Sequence, residues 1–156
     1  MRIDEQIKLD YEDVLLRPKR STLNSRKDVS LLRTFKFYHS PKIWTGVPIM
    51  TSNMATCGTF EMARILAPYK MVTTFHKYYS VEDYRKFFTG KNAFKNPDYI
   101  VYTTGVRDED LKKIKEMQKA KLMNNFSFIC IDVPNGYVDR ILKVVEQMRK
   151  NFPNHI

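Results

Sequence analysis

Short apolar runs alternate with amphipathic segments along the chain after residue 45. The apolar runs are rich in β-branched residues and short enough for buried strands, whereas the amphipathic segments repeat apolar positions at helical spacing. Strands are predicted at residues 46–51, 71–75, 99–103 and 126–131. Helices are predicted at residues 59–67, 80–88, 108–123 and 138–152. The pattern therefore predicts four consecutive βα units.

Local signals support the ends and faces of these helices. Ser80 and Asp83 have the spacing of a capping box, and Pro68 ends the helix before it. The helix at 108–123 has one face marked by Leu111, Ile114, Met117 and Lys121. Its lysines alternate with acidic residues, which is typical of a solvated helix face: Lys112, Lys113, Lys115, Lys119 and Lys121.

Four βα units with right-handed crossovers place every helix on one side of a parallel sheet when the strands pair in sequence order. Such a sheet rolls up, and eight units close it in about 250 residues. The predicted fold class is therefore α/β, with the first four βα units of a (β/α)8 TIM barrel. A doubly wound sandwich is the self-sufficient alternative for this length. Residues 153–156 stand where a fifth strand would begin.

The first 45 residues do not follow the alternation. Short strands are expected at residues 9–16 and 31–37, on either side of a basic loop. Phe35, Phe37 and Trp44 are expected to be packing residues. We therefore predict an N-terminal lid or hairpin over residues 1–45 and the half barrel over residues 46–156.

Composition and charge narrow the class of protein. Hydrophobic residues make up 43% of the 156 residues, which is enough to supply a folded core. The net charge of +10 would attract polyanions such as phosphorylated small molecules or nucleic acid. No apolar run approaches the roughly 20 residues that cross a bilayer, and residues 1–6 lack the apolar region of a secretory signal. A cytoplasmic protein with no membrane partner is expected.

Two cysteines, Cys57 and Cys130, are too few for a disulfide framework, and we expect both to be reduced. His39 and His155 have no further ligand at metal-binding spacing, so no metal site is expected. The sequence contains neither the glycine-rich dinucleotide fingerprint nor the P-loop motif. A bound phosphate would therefore need another kind of site.

Polar residues follow each predicted strand, and the carboxyl ends of parallel strands are where ligands bind. His76 and Lys77 follow the second strand and could hold a phosphate or an amide carbonyl, or could be solvated loop residues. Asp132 follows the fourth strand and could accept hydrogen bonds from a ribose or an amide, or could cap the next turn through Asn135 and Gly136.

Several long segments resemble the GMP reductase family over nearly the whole chain. They include residues 8–21, 46–49, 53–54, 58–63, 76–77, 79–80 and 132–137. The family is similar to IMP dehydrogenase, which usually carries an inserted domain where this chain has only residues 89–98. The resemblance implies a (β/α)8 barrel that uses NADPH to reduce and deaminate GMP to IMP and ammonia in purine metabolism. It also implies a homotetramer.

The resemblance also implies site residues. The positions that match the family's NADPH-binding residues are Ser25, Arg26, Lys77, Asp132, Val133 and Pro134. Of these, Ser25 and Arg26 would reach the cofactor of a neighbouring subunit, where an arginine suits a phosphate. Ser52 and Met54 match a loop that lines the nucleotide pocket. Two departures from the family pattern are Ala55, where an aspartate is usual, and Pro134, which lacks a backbone donor.

The family's catalytic cysteine, its threonine partner, its catalytic glutamate and its potassium loop belong to the second half of the barrel. This chain therefore holds no complete catalytic set, and we expect it to be inactive alone. The alternatives are an IMP dehydrogenase-like oxidoreductase, a truncated paralogue that binds nucleotides or partners without catalysis and, last, a basic RNA-binding module. No known RNA motif is present, so a nucleic-acid partner is not expected.

Overall fold

The computed structural model describes residue 3 and residues 5–156. Contacts divide the chain into two compact units, Met1–Ser30 and Leu31–Ile156. The prediction of no secretory signal rests partly on positions 1, 2 and 4, which lie outside the described residues. Among the described residues, no helix has both the length and the apolar character that a membrane span requires.

The first unit contains short 3-10 turns and no strand among its described residues. In the first turn, Tyr11–Asp13, the Asp13 carboxylate accepts a hydrogen bond from the Asp10 amide at 2.9 Å. Leu16 is fully exposed. The strand predicted over residues 9–16 is therefore wrong, because these carboxylate–amide bonds bend the chain where an extended strand was expected.

The second unit begins with a hairpin and continues with a parallel sheet. In the hairpin, β1 (Arg33–Lys36) pairs antiparallel with β2 (Ile43–Gly46). The parallel sheet has the order β3 (Thr73–Thr74), β4 (Ile100–Thr104) and β5 (Phe128–Ile131). The helices are α1 (Phe60–Leu66), α2 (Val81–Phe88), α3 (Asp108–Lys119) and α4 (Asp139–Asn151). The helices α2 and α3 connect successive parallel strands.

The strand predicted at residues 46–51 is the main correction to the fold. Gly46 instead ends β2, and beyond it only Met50 forms an isolated parallel bridge, to Val72. Pro48 interrupts this segment because a proline has no amide hydrogen to donate to a ladder. The described structure therefore has three parallel strands and not four, and the first of the four predicted βα units is not confirmed.

The predicted helices are confirmed, with one shorter than expected. Ser80 and Asp83 form the capping box of α2, and the Ser80 hydroxyl accepts from the Asp83 amide at 3.1 Å. Thr59 caps α1 in the same way through the Met62 amide. The third helix ends at Lys119 because Lys121 adopts a left-handed conformation, with φ of 58°. Lys121 therefore does not extend the helix face.

The main core lies between the parallel sheet and its helices, where large aromatic side chains are shielded from water. Phe75, Tyr84 and Tyr102 each have a relative exposure of 0%, and Phe126 has 1%. Their rings meet mostly edge-on or tilted, with centroids 5.6 to 6.2 Å apart. Burial of this apolar surface is the dominant stabilising contribution to the sheet–helix packing.

The hairpin β1–β2 covers the amino edge of the parallel sheet. The Trp44 indole donates to the carbonyl oxygen of Asp98 at 2.7 Å, and its ring meets that of Phe128 edge-on. The Lys42 ammonium donates to the Ser127 hydroxyl at 2.9 Å. Asp98 and Ser127 both precede parallel strands, so these contacts hold the hairpin at the amino edge. The carboxyl edge lies at the opposite side of the sheet.

Ile156 lies beside the outer edge of β5. Its amide donates to the carbonyl oxygen of Ser127, and its own carbonyl oxygen accepts from the Ile129 amide, both at 2.9 Å. Two bonds from one residue to positions two apart are the pattern of parallel pairing. Ile156 thus occupies the place at which a fifth parallel strand was predicted to begin.

Candidate functional site

The loop after β3 presents a lysine at the carboxyl edge of the sheet. The buried His76 amide donates to the carbonyl oxygen of Gly58 at 3.1 Å, which fixes the start of the loop. The Lys77 side chain is partly exposed, and within the described part of the chain its ammonium has no hydrogen bond or ion pair. The loop therefore offers a positive charge that is available to a ligand.

Stacked rings hold the backbone on either side of Lys77. The His76 ring lies 4.1 Å from the Tyr79 ring, and Tyr79 stacks on Phe60 of α1 at 3.7 Å between centroids. The Tyr79 hydroxyl accepts from the Phe60 amide, and His76 Nδ1 accepts from the Tyr78 amide, both at 3.2 Å. Burial lowers the pKa of His76, which favours the neutral ring needed for this acceptor.

The loop that carries Ser52 and Met54 is hydrogen-bonded to β3. The Thr74 amide donates to the Thr51 hydroxyl at 3.1 Å. The Met54 carbonyl oxygen accepts hydrogen bonds from the Gly58 amide at 2.7 Å and from the Cys57 amide at 3.1 Å. These bonds close a compact turn. Both candidate side chains are exposed, so they are available at this edge.

The segment after β5 carries Asp132, Val133 and Pro134. The Asp132 amide donates to the Thr104 carbonyl oxygen at 2.8 Å, which continues the sheet pairing for one more residue. The Asp132 carboxylate is exposed and accepts no capping hydrogen bond from the described residues. The Tyr137 amide instead donates to the side-chain oxygen of Asn135 at 2.9 Å. Pro134 is also exposed, and Val133 is half-buried.

The topology of the parallel sheet places Lys77 and Asp132 at the same edge. Lys77 follows β3 and Asp132 follows β5, and the two strands flank β4 with the same direction. Ser25 and Arg26 belong to the first unit, where Ser25 caps the turn Arg26–Asp28 and both residues are exposed. An ammonium and a carboxylate near backbone amides suit a phosphorylated ligand that also has hydroxyl or amide groups.

Cys130 lies inside β5 and is half-buried. Burial raises the pKa of its thiol, and the charge of Asp132 adds to this effect. Because the thiolate is the nucleophilic form, this environment does not suit covalent catalysis. Among the described residues, no group of three or more His, Cys, Asp or Glu side chains is arranged to hold a metal ion.

Lys113 was predicted to lie on a solvated helix face, and this prediction is wrong. Its ammonium donates to the carbonyl oxygens of Lys77 and Tyr79, and the Tyr79 contact is 3.0 Å long. Position 113 precedes Ile114, one of the apolar positions of α3, so it lies beside the buried stripe of the helix. Lys115 also adjoins Ile114 and is exposed, so the sequence does not distinguish Lys113 from its neighbouring lysines.

A family model for the IMP dehydrogenase / GMP reductase domain matches residues 8–156. The chain belongs to the IMP dehydrogenase / GMP reductase family. Similar proteins of this family include GMP reductase 2 of Bos taurus, 41% identical over 156 residues, and GMP reductase of Citrobacter koseri, 46% identical over 153 residues. GMP reductase of Vibrio parahaemolyticus is 42% identical over 158 residues. The family resemblance found in the sequence motifs is therefore confirmed.

The alignments cover nearly all of this chain but less than half of each relative. They include 98% of the chain and 43% of the length of the Bos taurus and Citrobacter koseri proteins. For the Vibrio parahaemolyticus protein the figures are 100% and 44%. The matched part is the N-terminal half of these family members.

A solved structure of the same family shares the fold. The crystal structure of inosine 5′-monophosphate dehydrogenase from Legionella pneumophila superimposes with a TM-score of 0.65 and 22% sequence identity. The match covers 89% of this chain and 39% of that one. At this identity the match supports the α/β fold of the TIM-barrel family.

Acid is expected to destabilise this family member through two histidines. Burial is the main cause that lowers the pKa of both His76 and His155 below the ordinary histidine value of 6.5. Below about pH 6.5 the unfolded chain therefore binds more protons than the folded chain, and the free energy of unfolding falls. The urea midpoint should decrease from pH 7 to pH 5.

The variants His76→Gln and His155→Gln should each flatten this pH dependence, and His39→Gln, at an exposed position, is the matched control. A urea midpoint with the same slope against pH in all three variants would contradict the assignment.

Proposed function

We propose that this chain is the N-terminal half of a GMP reductase, which converts GMP to IMP and ammonia with NADPH as reductant. The observation that carries the proposal is 41–46% identity to GMP reductases over nearly the whole chain. The carboxyl-edge lysine and carboxylate described above support it, because parallel βα sheets bind ligands at that edge. In this proposal four βα units make up half of a (β/α)8 barrel.

The groups at the carboxyl edge fit part of a dinucleotide. In the proposed site, the Lys77 ammonium binds a phosphate or an amide carbonyl of NADPH, and it has no competing partner among the described residues. The Asp132 carboxylate accepts from a ribose hydroxyl or an amide. The Val133 amide donates, whereas Pro134 contributes only its carbonyl oxygen and its ring.

Two further pairs of residues have roles in this proposal. Ser25 and Arg26 are exposed and are proposed to reach the cofactor of a neighbouring subunit in a homotetramer. Ser52 and Met54 are proposed to line the purine nucleotide pocket, since their turn is anchored to β3 beside the Lys77 loop. We expect the assembled enzyme to be cytoplasmic.

When bound, NADPH would supply a hydride to C2 of the purine and become NADP+, and the 2-amino group would take up a proton and leave as ammonia. The residues of this chain would bind and orient the two nucleotides at the carboxyl edge, so that the reacting atoms approach each other. Cys130 does not suit the role of nucleophile, because it is half-buried within a strand and its pKa is raised. The reacting side chains and the potassium loop are proposed to come from the other half of the barrel, and this chain alone should be inactive.

The cofactor part of the proposal is tested by titrating NADPH into the isotope-labelled chain and following backbone amide signals. We expect concentration-dependent shifts at residues 76–79 and in the segment that begins at Asp132. The chain carries a net charge of +10, so ATP at the same concentration is the control for unspecific anion binding. Shifts that are equal for the two ligands, or that avoid both segments, would contradict the proposed site.

A further inference from the structure

Lys113 connects helix α3 to the loop that carries Lys77. Its side chain is half-buried, and its ammonium donates to the carbonyl oxygens of Lys77 and Tyr79 on both sides of Tyr78. The Tyr79 contact measures 3.0 Å. A single cation thus satisfies two carbonyl groups whose peptide units flank one exposed residue.

Partial burial of the Lys113 ammonium disfavours its charged form. Burial lowers the pKa of Lys113, the nearby Lys77 charge acts in the same direction, and Asp110 opposes both. A hydrogen bond from an ammonium to a carbonyl is stronger than one from a neutral donor, and loss of the ammonium leaves two carbonyl oxygens without this partner. The Lys113 contacts therefore fix the backbone path of the loop more firmly than exposed lysines could.

Among the described residues, the other contacts of the loop bind groups other than the Lys77 and Tyr79 carbonyl oxygens; the Tyr78 amide, for example, donates to His76 Nδ1. The His76 amide is held by Gly58, and the Tyr79 hydroxyl is held by the Phe60 amide. These bonds fix the beginning of the loop and one aromatic side chain. The carbonyl of Lys77 itself is bound by Lys113. Lys113 therefore holds the carbonyl side of the Lys77–Tyr78 peptide unit while His76 holds its amide side, and both contacts help to set the direction of the Lys77 side chain.

We propose that Lys113 is a positioning residue that holds the Lys77 loop in the conformation that binds the anionic part of a dinucleotide. This inference rests on the proposed function for the choice of ligand. Lys113 does not touch the cofactor in this proposal; it acts through the backbone of Lys77 and Tyr79. The positive charge of Lys113, added to that of Lys77, also strengthens the local attraction for a phosphate.

The test compares Lys113→Met with Lys115→Met, which removes an exposed lysine of the same helix. NADPH is titrated into each labelled 156-residue chain, and hydrogen exchange of the Tyr78 amide, which donates to His76, reports on the loop. In Lys113→Met, we expect about tenfold weaker NADPH binding and faster Tyr78 exchange, while core amides such as that of Tyr102 keep their protection. Lys113→Arg, which keeps the cation, should recover most of both losses.

The outcomes separate this inference from the proposed function. If the unaltered chain does not shift at the carboxyl edge with NADPH, the proposed function fails first. If NADPH binds there and Lys113→Met binds it as tightly as Lys115→Met does, the positioning role is overturned. A loss of thermal stability in Lys113→Met with unchanged NADPH affinity would also overturn it, because the residue would then be structural only.

Discussion

Gly58→Ala is expected to lower the free energy of unfolding by about 3 kcal/mol, at the upper end of ordinary overpacking effects. A Cβ at this position would lie 2.3 Å from the carbonyl oxygen of Thr74 and 3.1 Å from the backbone nitrogen of His76. Both are backbone atoms and cannot rotate away. The substitution would push the loop after residue 50 off β3 and break the bond from the His76 amide to Gly58.

Thermal and urea unfolding of this variant measure the effect. The melting temperature should fall by about 10 °C for a chain of this length. Gly136→Ala is the matched control, because a Cβ there has no atom within 4 Å. Equal stability of the two alanine variants would contradict the close packing between the residue 50–58 loop and β3.

Lys77→Met is expected to raise the KM for NADPH about 30-fold in an active chimera, which corresponds to ~2 kcal/mol for a charge-assisted hydrogen bond. The chimera carries this chain in place of the N-terminal 43% of the Citrobacter koseri GMP reductase, which is 46% identical to it over the aligned residues. Methionine keeps much of the apolar side chain of lysine and removes the ammonium. The effect should therefore report on the lost charge and not on lost packing.

The control for Lys77→Met is Lys112→Met, which removes one exposed positive charge from α3. It changes the net charge by the same amount and should leave the KM for NADPH within about twofold, as expected for a screened surface charge. If the two variants raise the KM equally, Lys77 acts only through the overall charge and its assignment to the cofactor site is wrong.

The helices could be predicted because their signals are local. The Ser80 capping box and the apolar spacing on α4 lie within one or two turns of sequence, and the structure retains both. The strand at residues 46–51 could not be placed correctly from its apolar run. Gly46 instead pairs with Arg33 in the antiparallel hairpin. This pairing, together with Pro48, outweighs the local β propensity of the segment.

The candidate site was partly accessible from sequence. Lys77 and Asp132 could be proposed because they come just after predicted parallel strands, and in the structure they lie beyond the carboxyl ends of β3 and β5. Their roles in binding stay a prediction. Lys113 could not, because a lysine among lysines on an amphipathic helix gives no sign of its long-range contact. Its two carbonyl partners are 34 and 36 positions away and are brought to it by the crossover between β3 and β4.

The chimera itself provides the most direct test of the central proposal that this chain is half of a GMP reductase. Purified chimera should oxidise NADPH only when GMP is present and should release one ammonia for each NADPH consumed. The native Citrobacter koseri enzyme is the positive control, and the chain alone should show no turnover. A folded chimera that fails to oxidise NADPH with GMP, or that instead reduces NAD with IMP, would contradict the proposal.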